Sequence, residues 1–537
     1  MRNRAWLSIL IVVAVGCVRV HGAPPKAQTP KFQTSDRCLA CHNQLTTDSG
    51  KDVSIGFDWR SSIMANSSRD PYWQGSVRRE TIDHPSAKPH IEDECSICHM
   101  PITRYEAKLQ GEEGQIFAHL PFDKDKKNNA EAEDGVSCSV CHQIGKEKLG
   151  TPQSFNGGFV VDPPASKDDH PEHGPYVIQN GQARIMQSSS GGFRPMEASQ
   201  IRDSALCGTC HTLKTTPLTS DGKQHEPFPE QMPYQEWLHS DYRESRTCQS
   251  CHMPEVGEPA PIAAVLGVKR DGVRQHVFLG GNFLMQNLLN RYRGELAVTA
   301  LPQELTNAAN GTMEFLRTQA AKVSIQSLGV TGNRLQMAVL VENLTGHKLP
   351  TAYPSRRAWL HVVVKDANGN RVFESGALNP DGSIEGNDND ADPSRFEPHY
   401  SEITSPDQVQ IYEPILKDPA GRVTTGLLST VGYLKDNRLL PRGFRKESAD
   451  PEIAVVGDAA TDPNFTDSGD VIEYAVPIGS ASGPFHVEAE LWYQPIGFRW
   501  AHNLGAYQAF EPQRFVEYYE SMSGSNAIVL AKAEQTK

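Results

Sequence analysis

After its first 18 residues, the 537-residue chain has no hydrophobic run that approaches the roughly 20 residues needed to cross a bilayer. Basic charge is also scarce, because 52 lysine and arginine residues against 65 aspartate and glutamate residues give a formal net charge of -13. No basic stretch interleaved with aromatic residues offsets this balance. The sequence therefore argues against a transmembrane span in the mature chain and against a nucleic-acid partner.

Residues 1–22 have the pattern of a secretory signal peptide. Arg2 and Arg4 precede an apolar run over residues 5–18, and small residues follow. This pattern predicts export to a periplasmic or extracellular location. The segment "AVGC" that ends at Cys17 loosely resembles a lipoprotein cleavage box, so the alternative is a lipid anchor at Cys17 and association with the outer membrane.

Cysteine is concentrated in one repeated motif. Ten of the 11 cysteines lie in five copies of C-x-x-C-H, and the remaining one is Cys17. At the chain's cysteine and histidine frequencies, this motif is expected only about 0.01 times by chance. The copies are Cys38, Cys41 and His42; Cys95, Cys98 and His99; Cys138, Cys141 and His142; Cys207, Cys210 and His211; and Cys248, Cys251 and His252.

Paired cysteines of this kind serve structural zinc, disulfide chemistry or covalent haem. Zinc modules place their four ligands within a short module, whereas the first cysteines of successive motifs here are 41 to 69 residues apart. Redox-active or structural disulfides leave the invariant histidine unexplained. A c-type haem uses every residue, since two thiols form thioethers and the histidine binds iron. The sequence thus predicts five c-type haems, with the motif histidines as proximal iron ligands.

The composition divides the exported chain into four segments, as its length leads one to expect. Residues 23–281 are polar and loop-rich, and we predict a mainly α pentahaem cytochrome c domain in which the macrocycles supply the core. Residues 282–320 have helical spacing and form a connecting segment. Residues 321–500 are predicted to be an all-β sandwich of immunoglobulin-like type without cysteine, followed by a C-terminal tail at 501–537. The predicted fold class is therefore multidomain.

Hydrophobic periodicity supports the last part of this division. Apolar residues recur at steps of three or four over residues 301–316, whereas residues 335–341 and 485–493 alternate as strands do. The "NGN" at residues 368–370 predicts a hairpin. The acidic segment "GNDNDAD" at 386–392 offers oxygen ligands for calcium, but it fails the EF-hand template and is better explained as a solvated loop.

The motifs and their surroundings resemble exported multihaem c-type cytochromes related to the tetrahaem cytochrome c and hydroxylamine oxidoreductase superfamily. The resemblance covers nearly the whole mature chain, and its segments include "SSIMANSSRDPYW", "DGVSCSVCHQI", "YQEWLHSDY", "RQHVFLGGN" and, in the β portion, "NLTGHKLPTAYPSRRAWLHV". It implies electron transfer between closely stacked haems. It also implies that most irons take a second axial ligand from a distant segment.

Several residues are candidates for that second ligand. The resemblance points to Met64, His239 and His276. Position alone adds His119 and either His170 or His173, while His347 in "TGHKLP" is an alternative from the β portion. Gln200 stands before the fourth motif, where relatives often carry a histidine, so one iron is expected to be differently ligated or open.

Two functions remain in competition at the level of sequence. The first is an electron carrier that exchanges electrons with other redox proteins or cytochromes, and filled axial positions favour it. The second is a multihaem oxidoreductase that acts on a small nitrogen or sulfur compound at one open haem. The chain has no variant anchor such as C-x-x-C-K that would mark an open haem. An oligomer or filament of haem-bearing chains is a further alternative.

Overall fold

The computed structural model describes residues 32–122, 130–162, 169–219 and 225–537. The predicted signal peptide and Cys17 lie outside these residues. Within the described residues, no helix is both long enough and apolar enough to cross a membrane.

Short helices joined by long loops form the N-terminal part of the chain. The helices are α1 (Asp36–Leu39), α2 (Ile55–Arg60), α3 (Pro71–Asp83), α4 (Lys88–His99), α5 (Pro101–Leu109), α6 (Ala130–Glu133), α7 (Cys138–Gln143), α8 (Asn180–Ser190), α9 (Ser204–Gly208), α10 (Pro233–Leu238) and α11 (Cys248–His252). Two small sheets lie among them, formed by β1 (His170–Gly174) with β2 (Phe193–Glu197) and by β3 (Leu213–Thr215) with β4 (Phe228–Gln231). This part is loop-rich and mainly α, as the sequence predicts.

Two helices replace the single connecting helix that was predicted. They are α12 (Phe283–Arg291) and α13 (Pro302–Gln319). The periodic positions Leu305, Ala309, Thr312 and Leu316 are buried along α13, while Leu301 caps the helix and is exposed. The helical spacing therefore identified the core-facing side of α13 but not its first residue.

The C-terminal part contains three further sheets. Its strands are β5 (Ala321–Thr331), β6 (Arg334–Asn343), β7 (Arg357–Lys365), β8 (Arg371–Ser375), β9 (Glu402–Ile403), β10 (Ile411–Tyr412), β11 (Pro414–Lys417), β12 (Val423–Thr424), β13 (Gly432–Asp436), β14 (Asp470–Pro477), β15 (His486–Gln494) and β16 (Ile528–Thr536). The sheet orders are β10-β7-β15-β16, with β8 beside β7, then β5-β6-β14-β9, and β12-β11-β13. Three short helices accompany them, α14 (Asp388–Ala391), α15 (Phe498–His502) and α16 (Phe510–Glu520).

The two larger sheets bury their facing side chains in one hydrophobic core. Val339 of β6 and Ile472 of β14 come from one sheet, and Val362 of β7 and Leu491 of β15 come from the other. All four are fully buried, as the alternating pattern requires of one strand face. The structure thus has helices and several β-sheets, as predicted, but the strand order and the helices α14 to α16 do not establish an immunoglobulin-like topology.

The segment predicted as a C-terminal tail is part of the folded structure. β16 pairs antiparallel with β15 from Tyr493↔Ile528 to His486↔Thr536. α16 packs against α3, where a Cβ at Gly75 would come within 3.3 Å of the Pro512 backbone. Strand pairing therefore crosses the boundary predicted at residue 500.

The two parts of the chain are also joined by direct polar contacts. The carboxylate of Glu80 on α3 accepts hydrogen bonds from the backbone N–H groups of Leu427 and Leu428. The hydroxyl of Tyr493 on β15 donates to the carbonyl of Gly281 at 3.0 Å. These contacts join the C-terminal part to α3 and to the loop that precedes α12.

Candidate haem-binding site

All five C-x-x-C-H motifs line one cavity. Its volume is about 1950 Å³, well above the roughly 300–1,000 Å³ typical of a site for one small ligand. The ten motif cysteines and the five motif histidines all contribute to its wall. None of these ten cysteines is in a disulfide.

Local helix geometry explains how each motif presents its residues. The motif of α7 begins the helix at Cys138 and that of α11 begins at Cys248, while the motif of α4 ends its helix at His99. Residues separated by three and four positions lie on the same face of a helix. One helical turn therefore directs both thiols and the histidine toward the cavity, as attachment of a haem requires.

Backbone carbonyls orient four of the motif histidines. The Nδ1 atoms of His42, His142 and His99 lie 2.5, 2.6 and 3.0 Å from the carbonyl oxygens of Ile262, His173 and Ser67. Nδ1 of His252 contacts the carbonyl of Leu279 in the same way. A ring that donates through Nδ1 carries its lone pair on Nε2, which is how protein histidines are held for metal binding.

Burial keeps these imidazoles neutral. It lowers the pKa of His99 to about 4, and burial lowers the pKa of His211 to about 4 as well. The pKa values of His42, His142 and His252 are lowered for the same first reason. Iron binds the neutral imidazole, so the environment favours the form that a haem ligand needs.

Contacts between thiols show which motifs are neighbours. Three pairs of thiols from different motifs lie close enough to shift one another's pKa values: Cys38 with Cys138, Cys207 with Cys248, and Cys98 with Cys210. Cys141 of the third motif also lies close enough to Cys207 and Cys210 to affect their pKa values. The first motif therefore adjoins the third, and the fourth motif adjoins the second, third and fifth.

Two motif histidines face a second imidazole across the cavity. The rings of His142 and His276 have centroids 6.4 Å apart and planes 18° from parallel. Those of His252 and His347 have centroids 6.2 Å apart and planes 13° from parallel. At metal–nitrogen distances of about 2 Å, imidazoles on opposite sides of one metal ion place their centroids about 6 Å apart. Both pairs thus have the spacing of axial ligands to one iron.

The other candidates for a second ligand fall into two groups. Met64 and His173 line the cavity, together with His276 and His347. His119, His170 and His239 are not among its lining residues. His239 contacts the carbonyl of Gln235 through Nδ1, and its Nε2 is 3.6 Å from Asp450. The resemblance of the "EWLHS" segment therefore pointed to a histidine that does not line the cavity.

Gln200 also lies away from the cavity wall. Its side chain is buried, and its amide nitrogen is 3.4 Å from the carbonyl oxygen of Ile144. It is absent from the residues that line the cavity, although its neighbours Ile201 and Arg202 contribute. The expectation that Gln200 occupies a ligand position therefore has no support from its orientation.

Trp73 packs against a motif histidine, a contact that the sequence did not predict. Its ring lies flat against His99, with centroids 4.4 Å apart and planes 3° from parallel. The carboxylate of Asp70 caps α3 by accepting hydrogen bonds from the N–H groups of Tyr72 and Trp73. This cap fixes the start of the helix and places Trp73 in its first turn. The D-P-Y-W segment had helix-start residues, but only the fold shows what Trp73 packs against.

A cluster outside the cavity has the composition of a metal site but the wrong hydrogen bonds. His399, Asp462 and Asp470 are buried together. The amide nitrogens of Gln410 and Asn437 lie 2.8 and 3.1 Å from Nδ1 of His399. Both amide oxygens accept backbone N–H groups, so both nitrogens donate to the ring. Nδ1 is then the acceptor and Nε2 carries the proton, whereas a metal-bound histidine donates through its other nitrogen.

The acidic segment that was considered as a calcium site is also part of the folded structure. Residues 388–391 form α14, and Asp390 is buried with its carboxylate 2.8 Å from Arg357. The second oxygen of Asp390 accepts the backbone N–H of Ile384. Both oxygens of this carboxylate are therefore occupied by protein donors, and the segment is neither a solvated loop nor a free set of oxygen ligands.

Neither the sequence models of known protein families nor curated protein sequences match the chain. Its structure is similar to the crystal structure of a penta-heme cytochrome c552 from Thermochromatium tepidum. The TM-score is 0.53 with 14% sequence identity, and the match covers 95% of this chain and 100% of that chain. The chain therefore has the fold of a multihaem cytochrome c. Membership of the tetrahaem cytochrome c and hydroxylamine oxidoreductase superfamily stays a prediction.

Proposed function

We propose that this protein is an exported cytochrome that transfers electrons through five covalently bound c-type haems. The observation that carries the proposal is the pairing of His142 with His276 and of His252 with His347 across a cavity lined by all five motifs. The motif cysteines and histidines fit a c-type haem, since paired thiols and oriented neutral imidazoles are the groups that this cofactor binds. When bound, each haem supplies one reversible Fe(III)/Fe(II) couple.

The protein's own contribution is to attach, orient and space these groups. Each pair of thiols fixes one macrocycle, and the carbonyl contacts to Nδ1 fix the orientation of the proximal imidazole. The second imidazoles at His276 and His347 fill the opposite side of two irons. Filled axial positions suit electron transfer, because they leave no room for a substrate on the metal.

The order of the motifs in space supports a branched path. The third motif links the first to the fourth, and the fourth adjoins the second and the fifth, as the thiol contacts indicate. A branched arrangement offers three ends, at the first, second and fifth motifs, for exchange with other redox proteins. The net charge of -13 favours a partner with a basic docking face.

Met64 and His173 are proposed for two of the three remaining second ligands. Met64 precedes the loop whose Ser67 carbonyl orients His99, and its own carbonyl accepts the N–H of Val136 just before the third motif. His173 is buried, and its carbonyl orients His142. Both lie at the cavity wall, unlike His119, His170 and His239.

The test is to express the chain with a cytochrome c maturation system in an exporting host. Intact-mass spectrometry is expected to show five haem additions and loss of the signal segment. Anaerobic mixing of the reduced protein with a soluble electron acceptor is expected to reoxidise all five haems. Fewer than five additions at full maturation, or haems that cannot exchange electrons, would contradict the proposal. Retention of a lipid on Cys17 would select the anchored form.

A second candidate function has one observation in its favour. Tyr72, Tyr353, Glu80 and Glu230 line the cavity beside the second motif, and burial raises the pKa of Glu230 to about 7. Such acid and base groups beside an open haem would suit an oxidoreductase acting on a small nitrogen or sulfur compound. Turnover of nitrite or hydroxylamine, lost in Glu230→Gln with all five haems retained, would establish this function.

A further inference from the structure

One buried carboxylate from the N-terminal part of the chain binds the loop that carries His347. Glu236 lies on α10, between Tyr234 and Trp237, which both line the cavity. Its side chain is fully buried. One oxygen of Glu236 accepts the backbone N–H of Lys348 at 3.1 Å and the hydroxyl of Thr351. Both donors lie within the four residues that follow His347.

Glu236 is also one corner of a buried network of four charges. Arg438 lies 3.0 Å from its second oxygen. Arg438 donates to both oxygens of Asp436, and the ammonium of Lys348 donates to the same carboxylate at 2.7 Å. None of the four side chains is more than 6% exposed. Two cations and two anions thus balance one another's charge without solvent, and removal of one partner leaves an uncompensated buried charge.

Further contacts fix the first half of the same loop. The hydroxyl of Tyr242 donates to the carbonyl of Leu344 at 3.0 Å. Gly346 packs so closely that a Cβ there would lie 3.4 Å from both Trp237 and Tyr242. Asn343 at the end of β6 donates to the carbonyl of His347 at 2.7 Å. These contacts hold the loop between the N-terminal part of the chain and the β-sheets. In this position the ring of His347 faces that of His252.

From this geometry we infer that Glu236 is a positioning residue that holds His347 in place as the second axial ligand of the fifth haem. The inference rests on the proposed function, since it takes His347 to be that ligand. Glu236 touches neither the ring of His347 nor the motif of α11. It acts through the backbone of Lys348, and the C-terminal part of the chain thereby completes a site whose other ligand belongs to the N-terminal part.

The test compares three variants of the holoprotein. Glu236→Gln keeps the shape of the side chain but removes the charge that faces Arg438 and one of the acceptor sites. His347→Gly removes the proposed ligand itself. Asp390→Asn is the matched control, because Asp390 is equally buried and paired with Arg357 at 2.8 Å but does not contact the loop or the cavity. Intact mass must show the parent's haem count in each variant used.

The readouts are the high-spin signal in low-temperature electron paramagnetic resonance and carbon monoxide binding by the reduced protein. His347→Gly is expected to open one haem, which gains a high-spin signal and binds the gas. Glu236→Gln is expected to open the same haem in part, with carbon monoxide affinity at least about 10-fold above the parent. The double variant is expected to match His347→Gly alone, because both changes act on one iron. Asp390→Asn is expected to stay within about twofold of the parent.

Three results would overturn the positioning role. Glu236→Gln could leave spin state and gas binding unchanged, Asp390→Asn could open a haem to the same extent, or the double variant could open a second haem. If His347→Gly opens no haem, both the ligand assignment and the role of Glu236 fall, while the haem count and the pairing of His142 with His276 are unaffected. Should Glu236→Gln fail to mature, Thr351→Val removes one donor to the same oxygen and is expected to produce a smaller opening of the same haem; no opening there would overturn the role.

Discussion

His276 faces His142 across the cavity, with ring centroids 6.4 Å apart and ring planes 18° from parallel. The two residues are separated by 133 positions in the chain, so this pairing is a product of the tertiary fold. Burial lowers the pKa of His276 to about 3, which keeps its imidazole neutral.

Replacement of His276 by Met is expected to raise the midpoint potential of one haem. A thioether favours ferrous iron more than an imidazole does, and the shift should be on the order of 0.1 V. A potentiometric titration followed by visible spectroscopy would detect it. His170→Met is the control, because His170 is a buried histidine that does not line the cavity. Unchanged potentials in His276→Met would exclude His276 as a ligand.

Replacement of Met64 by His is expected to lower a single midpoint potential by a similar amount, on the order of 0.1 V, because a thioether ligand gives way to an imidazole. Met64 lines the cavity, and the prediction requires its sulfur to bind one iron. The same titration measures the shift. If every midpoint stays where it is in the parent, Met64 is a packing residue.

Replacement of Gln200 by His is expected to leave carbon monoxide binding unchanged. The sequence suggested that Gln200 stands where a ligand is missing, but its side chain points to the carbonyl of Ile144 and away from the cavity wall. Difference spectra of the reduced variant and parent, with and without the gas, would show it. Loss of a response present in the parent would mean that position 200 does reach an iron.

Asp470→Asn is expected to flatten part of the pH dependence of stability. Burial raises the pKa of Asp470 to about 7 from an ordinary value of 3.8. Between these values the folded state holds a proton that the unfolded state releases, so stability falls as pH rises from about 4 to about 7, by at most about 1.4 kcal/mol per pH unit. Above pH 7 this dependence ends.

The measurement for Asp470 is the difference in unfolding free energy between parent and variant, from denaturant titrations at pH 5 and pH 8. The parent should lose stability relative to the variant between these two values. A constant difference would mean that Asp470 titrates normally. Tyr412 and Gln410 donate to one oxygen of Asp470, and His399 beside it is neutral because burial lowers its pKa to about 4. The charge of Asp462 adds to the raised pKa of Asp470, whereas that of Lys446 opposes it.

The sequence predicted the local arrangement of the motifs better than it predicted which residues face them. Motif spacing is local, so helical geometry alone predicts that the two thiols and the histidine of each motif lie on one face. The alternation at Leu335, Met337, Val339 and Val341 also identified fully buried positions of β6. The hairpin at residues 368–370 joins β7 and β8, and Gly369 there adopts a φ of 80°.

The residues that face the motif histidines were harder to predict, because contacts between distant segments determine which residues these are. The resemblance favoured His239 over His347, yet of these two only His347 lines the cavity, on a loop whose backbone donates to Glu236. The strand β16 was missed for a related reason. Its pairing with β15 depends on a segment about 40 residues earlier, and its outer residues are polar and exposed.

The most direct test of the central claim is a potentiometric titration of the mature holoprotein monitored by low-temperature electron paramagnetic resonance. We predict five one-electron centres per chain, most of them low-spin in the oxidised state, with those of His142 and His252 showing bis-imidazole signals that disappear in His276→Gly and His347→Gly respectively. Fewer than five centres, or a predominance of high-spin iron in the unaltered protein, would contradict the account of five haems held for electron transfer.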